Sequence, residues 1–239
     1  MALLEIACFN AESAAVACEA GAGRIELCDG AKVGGTTPSR ATVVDVVDRA
    51  RAKGIPVYVM IRPRGGNFTY TDAEYAAMKD TIRRLKSTVD GFVFGVLKKD
   101  FTVDVGRTAA LVSEAHSLPC TFHRAFDETQ DSFVALEDVI STGCSSILTS
   151  GGAPTALSGA ETLKELVRQA GQRIDIIAGG GVRSSSLASI RSAVQAALYH
   201  SSALLPGSNV ADHGEIKEMQ QLLCASGREN RYLPGIAMN

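Results

Sequence analysis

The chain has 239 residues, 46% of them hydrophobic, with 24 Lys and Arg against 26 Asp and Glu and a formal net charge of −2. That length holds one large core or two small domains, and the balanced charge excludes an electrostatic nucleic-acid binder and a polybasic membrane surface. Trp is absent and aromatic residues make up 5%, which argues against platforms that stack bases or sugars.

The opening MALLEIACFN reaches Glu5 at once and lacks the long apolar stretch of a secretory signal. Its LLEIACF, from Leu3, is the first of a series of short β-branched runs. Others begin at Arg24 (RIELCD), Pro56 (PVYVMIR), Gly91 (GFVFGVL), Pro119 (PCTFHR), Ser145 (SSILTS), Ile174 (IDIIAGG) and Ala197 (ALYHSS). Runs of this length and makeup read as buried parallel strands. Between them lie helical patterns at Ser13–Ala22, Thr42–Lys53, Asp72–Ser87, Asp104–Ser117, Ser132–Thr142, Ala160–Ala170 and Ser185–Ala193. Thr71 and Asp72 ahead of Glu74 mark a helix start, and Gly143 and Gly171 mark helix ends. The eight strand starts are 21 to 35 residues apart, close to one strand–helix unit each. This predicts an α/β fold, a single-domain (β/α)8 TIM-like barrel over residues 1–205, with an open doubly wound sheet as the alternative. Residues 206–239 are expected to add one helix, Glu215–Cys224, and a polar tail that is loose or bound by a partner.

No run approaches the ~18–20 apolar residues of a membrane span. The six cysteines (Cys8, Cys18, Cys28, Cys120, Cys144 and Cys224) are scattered and form no C-x-x-C, a poor framework for disulfides or structural zinc. A cytoplasmic setting is expected.

In a barrel wrapped by helices the outer face of each strand is apolar, so the polar alternates point inward and line the mouth near the strand C-termini. Ile25 and Leu27 then face out and Arg24, Glu26 and Cys28 face in. By the same parity Tyr58, Met60 and Arg62 face in from the third strand, Thr121 and His123 from the fifth, and His200 from the eighth. Glu26, Arg62, His123 and His200 should therefore meet at one mouth. A structural Glu26–Arg62 ion pair with two satisfied histidines is the plainer reading; a binding or catalytic site is the other. The loops at that end add candidates. HRAFDET brings Arg124 and Asp127, TSGGAPT brings Thr149 and Ser150, and HSS brings Ser201. Arg64 stands beside a Gly65-Gly66 pair, and Gly179, Gly180 and Gly181 run into a helix, where backbone N–H groups can approach an anion. No nucleotide-cofactor motif is evident.

RIELCD, GGTTPS, VMIRPRGG, FVFGVL, TFHRAFD, ILTSG, GGGVR and HSSA, in this order between residues 3 and 203, resemble the CutC copper homeostasis family. The resemblance implies a compact TIM-like barrel, a cytoplasmic homo-oligomer (dimer or tetramer), and a part in copper homeostasis with copper binding as the proposed activity. Cu(I) favours soft thiolates and thioethers. Cys28 matches the family's second-strand cysteine, while the family's first-strand position holds Ala7 and Cys8 follows it on the other face. A Cys8–Cys28 copper site would need an irregular end to the first strand; Cys28 with Met60 or His123 is another soft pair. Asn67 and Ser185-Ser186 also depart from the family pattern, where aspartate and asparagine are usual.

Three expectations follow. The mouth binds copper through Cys28. Or it is an enzyme on a small phosphorylated or otherwise anionic metabolite, in which Glu26 and His123 exchange protons, Arg62 and Arg64 hold the anion, and Asp127 or Asp104 orients partners. Or the barrel is an interaction scaffold.

Overall fold

A computed structural model describes residues 2–225. Its strands are β1 (Leu3–Cys8), β2 (Arg24–Leu27), β3 (Val57–Met60), β4 (Gly91–Phe94), β5 (Cys120–Phe122), β6 (Ser146–Thr149), β7 (Asp175–Gly179) and β8 (Leu198–Ser201). The helices between and after them are α1 (Ala11–Ala20), α2 (Arg40–Arg51), α3 (Asp72–Leu85), α4 (Val105–Ala115), α5 (Ser132–Ser141), α6 (Ala160–Ala170), α7 (Ser184–Val194) and α8 (His213–Ala225). Neighbouring strands pair in parallel and in chain order, and β8 pairs back onto β1. That last ladder, with Leu3 opposite Leu198 and Glu5 opposite His200, closes the barrel and excludes the open sheet.

Local chemistry sets the helix starts. The Asn10 side chain accepts from the Ser13 N–H at 2.7 Å ahead of α1, and Ser39 does the same for Thr42 ahead of α2. Thr71 and Glu74 cap α3 reciprocally. Asp131 accepts from two backbone N–H groups at the head of α5.

Packing then sorts the strand residues by parity. Ile25, Leu27, Val57, Val59, Phe92, Phe94, Phe122 and Tyr199 are fully buried in the layer between strands and helices. Removing side chains of this size from water stabilises the fold by about 1.5–3 kcal/mol each. The barrel interior holds two smaller apolar clusters. One joins Leu148, Ile177 and Leu198 with Leu3; the other joins Cys28, Met60 and Val93 with Tyr58 and Phe9. The rest of the lumen is polar: Glu5, Arg24, Glu26, Thr121 and Ser146 are all buried, and the hydroxyls of Thr121 and Ser146 meet at 2.8 Å.

The expected helix Glu215–Cys224 is part of α8, which packs against α1 and α7 and completes the outer ring. The expected tail GRENRYLPGIAMN lies outside the described residues. All six cysteines are free. Among the described residues no helix is long and apolar enough to cross a membrane.

Candidate functional site

Register places Glu5 level with Arg24 on β2 and with His200 on β8. All three point inward, so a fully buried carboxylate meets a guanidinium and an imidazole. Arg24 Nε donates to Glu5 Oε2 at 2.5 Å, and His200 Nδ1 meets Glu5 Oε1 at 2.7 Å. The Arg24 guanidinium lies 4.2 Å from the centre of the Tyr58 ring. Burial works against the Glu5 charge, but Arg24 and His200 outweigh it and hold the carboxyl at about 2. Burial likewise opposes charge on His200, and Glu26 and Glu5 outweigh it, so the imidazole is raised above its ordinary 6.5.

One strand step further toward the mouth is Glu26. Its Oε2 lies 4.0 Å from His200 Nε2 and 3.4 Å from Cys28 Sγ, and its Oε1 is buried with no hydrogen-bond partner. Burial raises its carboxyl above the ordinary range, with His200 pulling the other way. Glu5 thus fixes the His200 ring so that Nε2 is turned toward Glu26.

His123 lies at the end of β5. Its Nδ1 accepts from the Ala125 N–H at 3.2 Å, and its Nε2 is buried without a partner. Burial and the charge of Arg62 push this imidazole down to about 3. Gly95 makes room for it, because a Cβ there would stand 2.5 Å from His123 Nδ1. Phe68 packs on the ring at 4.8 Å between centroids, and Arg62 lies 4.7 Å over the same phenyl ring.

These groups line one cavity of about 240 Å³ at the C-terminal mouth of the barrel. Glu26, Arg62, His123, Arg124, Gly180, Gly181, His200 and Ser201 are in its wall, with Ala7, Met60 and Arg183. Parity therefore brought together side chains from β2, β3, β5 and β8. The Glu26–Arg62 pair does not form. Arg62 instead donates to the carbonyls of Val33, Gly35 and Gly66, each at 2.8 Å, and ties two loops together.

Other expected site residues are engaged elsewhere. Arg64 pairs with Glu74 at 2.6 Å and donates to the carbonyls of Gly65, Asn67 and Thr69, so it braces its own loop outside the cavity wall. Asp127 accepts from Thr149 Oγ1, the N–H groups of Ser150 and Gly152, and Arg124 Nε. With its oxygens so filled, Asp127 is a buckle that positions Arg124; Thr149 and Ser150 are parts of that buckle. Gly179 is the last residue of β7 and is packed against Leu148 and His200. Gly180, at φ 106°, brings its backbone against Ser150 and the Arg124 guanidinium, a conformation and a closeness that suit glycine. The head of α7 is not free for an anion: Glu215 from α8 accepts from the Ser184 N–H at 2.8 Å and from its hydroxyl at 2.9 Å. Asp104 caps α4 and is not in the cavity wall.

Two groups were missed, one beneath the mouth and one in its wall. Glu5 was passed over because it sits in the apolar opening run; the parity of Leu4, Ile6 and Cys8 already turned it inward. Arg183 follows the glycine run. Its guanidinium donates to Ser201 Oγ at 3.0 Å and to the carbonyls of Val182 and Leu204, and it has no carboxylate partner among the described residues.

The fit to copper is poor. Cys8 packs in the outer layer with its thiol near the Ile6 carbonyl, whereas Cys28 faces the lumen, so β1 runs regularly to its end and no Cys8–Cys28 pair forms. Burial and the neighbouring Glu26 raise the Cys28 thiol well above 9.0, which keeps it protonated. Met60 is the one further soft donor in its cluster. Glu5, Glu26 and His200 offer atoms within 4.8 Å of one another, but both Glu5 oxygens are already held by Arg24 and His200. Those are hard or borderline donors rather than the soft set Cu(I) prefers.

The profile of the CutC family matches residues 2–205. The chain is 45% identical to a copper homeostasis protein cutC homolog of Mus musculus, over 84% of this chain and 73% of that protein. It is 42% identical to a family protein CutC of Xanthomonas campestris, over 85% of this chain and 84% of that protein. The crystal structure of a CutC protein from Streptococcus agalactiae superposes with TM-score 0.81 at 33% identity, covering 84% of this chain and 99% of that one. A thiamine phosphate pyrophosphorylase from Pyrococcus furiosus shares the barrel alone, at TM-score 0.62 and 15% identity over 93% of this chain and 95% of that one. Barrel and sequence agree: the chain belongs to the CutC family.

Proposed function

We propose that this chain serves copper homeostasis, the role its relatives' names carry, through a small-molecule site rather than a thiolate copper site. The mouth takes a compact anion and moves a proton with Glu26 and His200. One observation carries this reading: Glu26 and His123, both buried in the cavity wall, each leave a polar atom without a partner. A buried polar atom left unpaired costs about 1–3 kcal/mol, an expense that a ligand arriving there removes. Arg62 and Arg183 carry positive charge at the same wall with no carboxylate beside them among the described residues, which suits a carboxylate or phosphate. Cytoplasmic placement and homo-oligomeric assembly belong to the same proposal and rest on the family resemblance.

Direct Cu(I) uptake is the second reading, favoured by Cys28 beside Met60 in the lumen. Two measurements separate them. Thermal melts with inorganic phosphate and a panel of sugar phosphates should show stabilisation that is reduced in Arg183→Ala. Anaerobic competition for Cu(I) against bathocuproine should leave the metal on the chelator. Stoichiometric retention lost in Cys28→Ser, with no stabilisation by any anion, would reverse the order of the two readings.

A further inference from the structure

The two unpartnered atoms are not alike. His123 spends Nδ1 as an acceptor for the Ala125 N–H, so the neutral ring carries its hydrogen on Nε2, a donor lying in the cavity wall. Glu26 presents Oε1, which nothing in the protein engages. Burial and Arg62 keep His123 neutral, so it polarises without surrendering its proton to Glu26. A neutral imidazole donor and a carboxylate base in one small cavity are the two groups needed to loosen a hydrogen on carbon next to a carbonyl. Glu5, by holding His200, turns a second imidazole so that its Nε2 is 4.0 Å from the carboxylate.

We infer that the mouth enolises a small hydroxyaldehyde or hydroxyketone bearing an anionic group, with Glu26 as base and His123 Nε2–H as donor to the carbonyl oxygen. This rests on the small-anion reading above. Glu26 takes the hydrogen on the α carbon as a proton. The C–H electron pair becomes the C=C bond, and the carbonyl π pair moves onto the oxygen that His123 faces. Return of the proton to the former carbonyl carbon, with a proton passing from one oxygen to the other, interconverts hydroxyaldehyde and hydroxyketone. Nothing is oxidised overall and no second reagent is consumed. The cavity of about 240 Å³ sets the size at a few carbons.

The test uses the full chain in D2O with glycolaldehyde, dihydroxyacetone, D-glyceraldehyde, D-ribose and their phosphate esters. Binding is read by thermal shift and loss of the α C–H signal by proton NMR. At least one probe that stabilises the protein should exchange its α hydrogen ~100-fold faster with wild type than with Glu26→Gln. His123→Leu should lose exchange to a similar extent, and His123→Gln, which keeps an N–H donor, should retain more. Circular dichroism confirms that each variant is folded. Stabilisation without exchange overturns the enolisation and leaves the small-anion reading standing. Neither stabilisation nor exchange overturns both.

Discussion

Asp127 and Glu26 are carboxylates at the same end of one barrel, and they are treated in opposite ways. Asp127 lies on the β5–β6 side, and four donors fill it. Glu26, on β2, keeps one buried oxygen idle. The same contrast separates Arg64, spent on Glu74 and loop carbonyls, from Arg183, which has no carboxylate partner among the described residues. A filled group holds loops in place; an idle one is held ready at a cost in stability. The distinction between scaffold and site is therefore one of bonding capacity left over, not of charge or position.

Glu5 gives the largest expected effect, because it belongs to the filled class while touching the site. Glu5→Ala strands Arg24 and His200 in the lumen and should cost about 3–5 kcal/mol in a urea melt. Loss of under 1 kcal/mol would mean that water or another group takes over. Glu5 also contributes to an acid response. Its folded value of about 2 lies below the ordinary 4.5, so it contributes stability above pH 4.5 that is lost as pH falls toward 2. His123 adds to the loss at a higher pH. Its folded value of about 3 lies below 6.5, so the unfolded chain binds the extra proton between these values and stability falls as pH drops through that window. Melts from pH 7 to 4 should show this slope, and His123→Gln should flatten it. Next in size, Asp127→Ala unfastens Arg124, Thr149 and Ser150 and should cost about 2–3 kcal/mol. Gly95→Ala forces a Cβ against His123 Nδ1, with an expected loss of about 1–2 kcal/mol together with ligand stabilisation. Smallest of all, Glu26→Gln should change stability by less than about 1 kcal/mol or raise it, since it removes a buried charge. Were Glu26→Gln as destabilising as Asp127→Ala, the contrast would collapse.

The parts that periodicity controls were legible in the sequence. Alternation gave the barrel and its helices, and parity turned Glu26, Arg62, His123 and His200 to one mouth. The same rule pointed Glu5 inward and Cys8 outward. Bonding capacity was not legible, because it depends on partners that only folding brings near. Arg62 meets Val33 and Gly35 across a loop, Asp127 meets Gly152 from the loop after β6, and Glu215 reaches the head of α7 from 31 residues away. Composition marks all of these groups as candidates alike. The tautomer of His123 depends on a contact with Ala125 in a short 3-10 turn, and on Gly95 leaving space just after β4.

Nitrogen-edited NMR of the four histidines, assigned with His→Gln variants, reads the state on which this contrast depends. The account predicts that His123 stays neutral with its hydrogen on Nε2 from pH 8 down to about 5, while His200 holds its proton to a higher pH than an ordinary imidazole. A His123 ring that titrates near 6.5, or that carries its hydrogen on Nδ1, would contradict it.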